Sequence, residues 1–261
     1  MSLRPPAGSQ FRRPVDQTVL TRHKALIEAI DRRKVLRGAL SLGALTLLSG
    51  CDVTDTDAVQ GVLTAVSAWN DRAQAWLFDQ DHLAPTFSEA EVLKPPRFNA
   101  YYSLQDMSPV DMATWKLELG GLIASKRPWS AADIYALPEQ EIIIRHVCVE
   151  GWDYIGQWSG VNLRRFLETV GADLTAKYVA FRCFDDYYSS IDMATALHPQ
   201  TILATRYAKE PLGDPFGYPL RLRTSTKLGF KNPKWITAIE VTNNYPGGFW
   251  EDRGFNWFAG L

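Results

Sequence analysis

Residues 142–160 read IIIRHVCVEGWDYIGQWSG. Three isoleucines and two valines make the first half a strand-forming apolar run, and Glu150, Gly151 and Trp152 break it with a turn. By itself Cys148 reads as a small buried hydrophobe. Its neighbours argue for chemistry. Arg145 and His146 stand upstream, and nearby positive charge lowers a thiol pKa. Gly151 permits close backbone approach downstream. A thiolate on an exposed loop is a soft ligand suited to a soft metal centre. His146 and Cys148 share a strand face, and with Cys183 and His198 they offer zinc donors, but no spacing among them matches a zinc pattern.

Outward from this run, the chain mixes elements without regular alternation. TWKLELGG alternates as a strand ending in a Gly-Gly turn, and WSAADIYAL is a short helix capped by Ser130. EIIIRHVCV reads as a buried strand. VNLRRFLETVG is a helix with Leu163, Phe166, Leu167 and Val170 on its core side and Gly171 closing it. YVAFRCF, PLRLRT and WITAIEVTN are further strands. Residues 62–78 place Val62, Val66, Trp69, Ala73, Trp76 and Leu77 on one helical face, the pattern of a packing helix. The proline-bearing stretch APTFSEAEVLKPPRFNAYYSL reads as a connecting loop. The expected class is α+β rather than a doubly wound sheet.

The 261 residues suffice for one sizeable core. The net charge of −1 hides an asymmetry: residues 1–37 hold nine Lys/Arg against three Asp/Glu, so the remainder carries a net −7. An acidic body with a basic leader argues against nucleic acid as a partner. Arg32 and Arg33 precede an apolar run of about 13 residues, too short to cross the ~30 Å bilayer core. That layout reads as an export signal and resembles a twin-arginine signal. Leu48-Ser49-Gly50-Cys51 resembles a lipobox with Cys51 as the lipidated residue, and Asp52 resembles an inner-membrane retention signal. The expected organisation is a signal over 1–50, a tether and packing helix over 51–95, and a catalytic domain over 96–261. Export leaves Cys148 and Cys183 able to form one disulfide or to act separately.

No G-x-G-x-x-G, P-loop, C-x-x-C-H or G-x-S-x-G is present, so nicotinamide, nucleoside triphosphate, c-haem and α/β-hydrolase readings lack support. Four ordered blocks remain: RHVCVEGW; YVAFRCFDDYYSSIDMATALHPQTILA; GYPLRLRTSTKLGFKNPKWITAIEV; and GFWEDRGFNWFAG. Together they resemble the sulfite oxidase superfamily of molybdopterin-binding oxidoreductases, in particular its exported, single-domain bacterial members that reduce sulfoxides. The resemblance spans roughly residues 96–261. It implies a sulfite-oxidase-type domain with mixed sheets, flanking helices and no dimerisation domain, hence a monomer.

The same resemblance implies molybdenum-molybdopterin as cofactor, with Cys148 as metal ligand and catalytic residue. It puts Arg221 and Lys234 on the cofactor's phosphate and pterin, where a dianion needs fixed cations. Asn99, Tyr101 and Tyr102 fall in an early cofactor-contacting block. Gly229 and Asn232 fall in a loop around the pterin, and Cys183 and Phe216 at further contact positions. Two positions depart from the pattern: Cys183 stands where sulfoxide-reducing members carry Thr, and Phe216 where relatives carry Asn or His. The implied activity is oxygen-atom transfer outside the cytoplasm, reducing a small S-oxide or N-oxide with electrons from a membrane cytochrome or quinol-linked donor. The implied location is the periplasm, anchored to the inner membrane as a lipoprotein. Sulfite oxidation is the alternative, with Arg145, His146 and Arg182 as candidate anion-binding residues. A lipoprotein that kept the fold without the cofactor is the other.

Overall fold

The opening stretch forms a hairpin. Strand β2 (Glu139–Val147) pairs antiparallel with β3 (Asp153–Asn162) in unbroken register from Glu139↔Val161 to Val147↔Asp153. The structure is a computed structural model and describes residues 56–261. Within the chain, Val62–Leu261 makes one unit, and it is described by itself. The leader and Cys51 lie outside the described residues.

Two sheets result. The hairpin continues into β6 (Ile202–Tyr207), which pairs antiparallel with β3. On its other side β6 takes β7 (Glu210–Pro211) at one end and β8 (Arg221–Arg223) at the other. The second sheet runs β1 (Glu118–Gly121), β9 (Ile236–Thr242), β4 (Tyr178–Cys183), β5 (Tyr188–Asp192). Only its β1–β9 pair is parallel. Mixed sheets with few helices and no βαβ alternation make this α+β, as the sequence pattern indicates.

The larger core packs Phe166 and Leu167 of α3 (Leu163–Thr169) and Ile134 of α2 (Ala131–Tyr135) with Val179, Phe181 and Ile239 of the second sheet. Ser130 caps α2 by accepting from Asp133 N at 3.2 Å, and Asn162 caps α3. A smaller core surrounds Trp158 in the first sheet. A short helix, α4 (Met193–Ala196), follows β5.

Three expectations change. β2 is an edge strand whose residues alternate between buried and exposed, with Ile142, Ile144 and His146 inward and Arg145 outward. The segment after the turn, to which the sequence pattern assigns no element, is strand β3; its two glycines mask the β pattern. Most informative is α1 (Thr56–Leu77). The expected helix exists, but its apolar stripe is not packed: Val62, Val66, Trp69, Trp76 and Leu77 are all more than half exposed. The opposite side makes the contacts, with Asp71 Oδ1 accepting from Phe258 N at 2.7 Å and Gln74 Oε1 from Gly260 N at 2.9 Å. No described helix is long and apolar enough to cross a membrane.

Candidate active site

Cys148 is the first residue beyond β2. Its backbone N–H donates to Trp152 O at 2.9 Å, and its carbonyl accepts from Gly151 N at 3.1 Å, closing a tight turn. Gly151 is needed for its conformation, φ +87°, rather than for space: a Cβ there would meet nothing within 4 Å. The turn delivers Cys148 to the wall of a cleft of about 180 Å³ between the hairpin and the loop that follows β8. The thiol is buried rather than exposed, and burial pushes its pKa up, with the backbone N–H groups of Glu150 and Val149 opposing and the Glu150 carboxylate adding to the shift. This reverses the expectation of charge activation. Arg145 points outward to Asp153 at 3.1 Å, both about half exposed, and His146 points inward.

The cleft brings together Asn99, Tyr101, Cys148, Gly229, Asn232 and Lys234. Lys234 is nearly buried; its Nζ donates to the carbonyl of Asn99 in a short contact and to Pro215 O at 3.4 Å. It sits over the rings of Phe98 and Trp235, and burial pushes its pKa well down, with Arg221 adding to the shift. Asn232 shapes the loop: its Oδ1 accepts from Thr224 N at 2.8 Å and its Nδ2 donates to Leu228 O at 3.1 Å. Gly229 is required by space, since a Cβ would lie 2.8 Å from His146 Nε2. Trp250 and Phe255 stand with Phe230 in the cleft wall.

Tyr102, Cys183 and Arg221 lie behind that wall. Tyr102 donates to Asp185 Oδ2 at 3.0 Å, and the Tyr101 hydroxyl donates to the Asp185 carbonyl. Cys183 is buried in the larger core, where burial raises its pKa well above the ordinary thiol value. Cys148 and Cys183 are both free thiols. Phe216 contributes its backbone, the carbonyl accepting from Arg221 Nη1 at 2.8 Å. Among the described residues no group of three or more His, Cys, Asp or Glu could hold a metal, so the zinc alternative has no site there.

Arg221 brings a neighbour that sequence reasoning passed over. β8 is buried along its whole length, so Arg221 and Arg223 both lie inside. Burial lowers their pKa values to about 9 and about 10, which leaves both protonated at neutral pH. His146 is lowered to about 2 by burial first and then by Arg223, Arg221 and Lys234, so it is neutral. Buried positive charge without counter-charge suits a bound anion. A soft thiol at the cleft wall suits a soft metal, so the residues fit a phosphate-bearing metal cofactor.

The family model for the oxidoreductase molybdopterin binding domain matches residues 105–250. The putative protein-methionine-sulfoxide reductase subunit YedZ1 of Azospira oryzae is 51% identical over 234 residues, covering 90% of this chain and 89% of that one. The protein-methionine-sulfoxide reductase catalytic subunit MsrP of Campylobacter jejuni is 34% identical over 154 residues, 52% of each chain. Thus the chain spans about half the length of that MsrP. The crystal structure of the sulfane dehydrogenase SoxCD from Paracoccus pantotrophus aligns over 52% of this chain and 40% of its own, at 17% identity and a TM-score of 0.49.

Proposed function

This chain belongs to the oxidoreductase molybdopterin binding domain family, and from that premise we propose that it reduces an organic S-oxide, methionine sulfoxide foremost, outside the cytoplasm. The observation that carries this reading is the lining of the cleft. Aromatic residues Tyr101, Phe230, Trp250 and Phe255 form much of its wall. Its only cation among the described lining residues is Lys234, already bonded to two carbonyls, whereas Glu150 and Asp185 supply carboxylates. Arg145, His146 and Arg182, the residues considered for sulfite, do not line it. A dianionic substrate would meet repulsion there, and a neutral sulfoxide would not. Aromatic walls also suit sulfur-bearing side chains. The relatives' names agree with that substrate class.

When bound, the cofactor supplies the two-electron, two-proton conversion of a sulfoxide to a thioether and water. The protein's part is to hold and orient. Cys148 would serve as the metal's protein ligand, where binding the cation in place of a proton offsets the burial that otherwise keeps the thiol neutral. Lys234 and Arg221 hold the phosphate end. Asn232, which fixes the loop through Thr224 and Leu228, would together with Gly229, Asn99 and Tyr101 hold the ring system in the cleft. Tyr102 and Cys183 support that wall from behind. Phe230, Trp250 and Phe255, the part of the aromatic wall not given to the cofactor, receive the organic part of the substrate and displace water from it. Electrons come from a membrane donor, a cytochrome or quinol-linked protein. Arg32, Arg33 and Cys51 support export and lipid anchoring at the periplasmic side of the inner membrane. The buried unpaired cations argue against a cofactor-free lipoprotein.

The test is turnover by purified, molybdenum-loaded protein with reduced viologen. Methionine sulfoxide, free or in an oxidised protein, is expected to reoxidise the dye, and sulfite to reduce the enzyme poorly. Rapid reduction by sulfite with no dye oxidation by any S-oxide or N-oxide would make this a sulfite dehydrogenase instead.

A further inference from the structure

Arg221 and Arg223 stack over one ring: their guanidinium carbons lie 4.6 and 4.9 Å from the Trp158 centroid. Arg223 is completely buried and Arg221 nearly so. Among the described residues neither forms an ion pair with an Asp or Glu. Arg223 Nη1 lies 2.8 Å from His146 Nδ1. Arginine can only donate, so Nδ1 accepts and the neutral ring carries its proton on Nε2. That N–H faces Gly229, in the loop that lines the cleft.

Stacking on Trp158 accounts for the guanidinium faces, and the Phe216 carbonyl and His146 Nδ1 each take one Nη1, which leaves other edge donors open. Arg221 Nε, Arg223 Nε and Nη2, and His146 Nε2 are all buried donors with no partner. Three unfilled guanidinium donors and two unbalanced charges beside one ring call for an acceptor with several oxygens and negative charge. A carboxylate side chain would be the ordinary answer, and none is supplied. The planar fork of arginine matches a phosphate.

We propose that Arg223, oriented by His146, is a second cation beside Arg221 for the cofactor's terminal phosphate, so that this chain grips a phosphate monoester dianion with two guanidiniums. The source of the phosphate rests on the cofactor reading above; the anion site rests on the unfilled donors. His146 acts as a positioning residue: it fixes the Arg223 fork and joins the strand that presents Cys148 to the Gly229 loop.

The experiment compares wild type, Arg223→Met and Arg223→Lys for pterin and molybdenum content after dialysis, and for the thermal midpoint of the cofactor-free protein with inorganic phosphate against chloride at equal ionic strength. Arg223→Met removes a buried unpaired charge, so cofactor-free protein is expected to melt no lower than wild type. It should nevertheless retain on the order of tenfold less cofactor and lose the specific protection by phosphate. Arg223→Lys keeps charge without the fork and should fall between. A purely structural arginine gives the opposite pattern: a lower cofactor-free midpoint, with unchanged cofactor content and phosphate response, and that would overturn the proposal. If Arg223→Met does not fold, Arg223→Lys decides, and unchanged phosphate protection together with unchanged cofactor content overturns it. Wild-type protein that holds no pterin, yet is protected by phosphate in an Arg223-dependent way, would sink the cofactor reading and leave the anion site standing.

Discussion

Cys148 and Cys183 share a side chain and differ in placement. Cys148 borders the cleft at the end of a strand, while Cys183 fills the core behind it. Cys148→Ser should keep the fold and most of the pterin but lose turnover by orders of magnitude, because an alkoxide is a harder donor than a thiolate. Its molybdenum EPR signal should change. Cys183→Ser should leave that signal nearly intact; equal effects of the two changes would defeat the assignment of Cys148 as the protein ligand. That Cys148 and Lys234 would border one cleft followed from the resemblance of their sequence blocks and not from the residues alone, since by itself Cys148 reads as a small buried hydrophobe. The roles of Arg223 and His146 were not legible in the sequence. The alternation Arg221-Leu222-Arg223 reads as a strand with its charges toward water, and only the burial of β8 on both faces turns the arginines inward. The reverse error arose at Arg145, whose charge beside a cysteine looks activating until the pleat sends it outward.

At the level of elements, β3 was hidden by its glycines, and its contact with β6 explains one of them. Ser159/Gly160 marks a register shift between the two strands, and a Cβ on Gly160 would lie 2.0 Å from Leu203 O and 2.6 Å from Ala204 Cα. Glycine lowers β propensity, yet here the backbones approach too closely for any other residue. Gly160→Ala should therefore cost about 1–3 kcal/mol or more, read as a lower denaturant midpoint. Since β6 also pairs with β8, cofactor content should fall with it. An unchanged midpoint would mean that the close approach is not real. The helices were easier: Ser130 and Asn162 announce α2 and α3 by their caps. Periodicity found α1 as well, but an apolar stripe reports a helix with one greasy side and says nothing about what covers it.

Across the whole molecule, the C-terminal residues connect distant parts. Lys227 Nζ lies 3.1 Å from Asp192 Oδ2 and over the Phe258 ring, with its side chain 1% exposed. Burial pushes its pKa down to about 8, and Asp192 opposes the shift. A depressed lysine pKa means that the folded state pays for the proton at low pH and is relieved as pH rises from about 8 toward the unfolded value near 10.4. Relative to Lys227→Met, wild-type stability should thus increase over that window by up to about 3 kcal/mol, measured by denaturant titration at pH 7 and pH 10. A pH-independent difference would show that Lys227 is already neutral or well hydrated. The segment that Lys227 supports also carries load. Residues 258–260 are held on one side by Asp71 and Gln74 of α1, and on the other by residues 226–228, through Leu228 N–H to Ala259 O and Leu261 N–H to Thr226 O. Tension arriving along the chain at α1 is therefore taken up first by the last few residues, in shear across short hydrogen bonds, before any of it reaches Gly229. If the chain is fastened by its N-terminal side, as proposed above, a pull would meet residues 258–260 before the cleft, much as a clamp on a cable protects the connector. The same arrangement makes the final four residues a mechanical component, and trimming them would transfer the strain to the loop at Gly229.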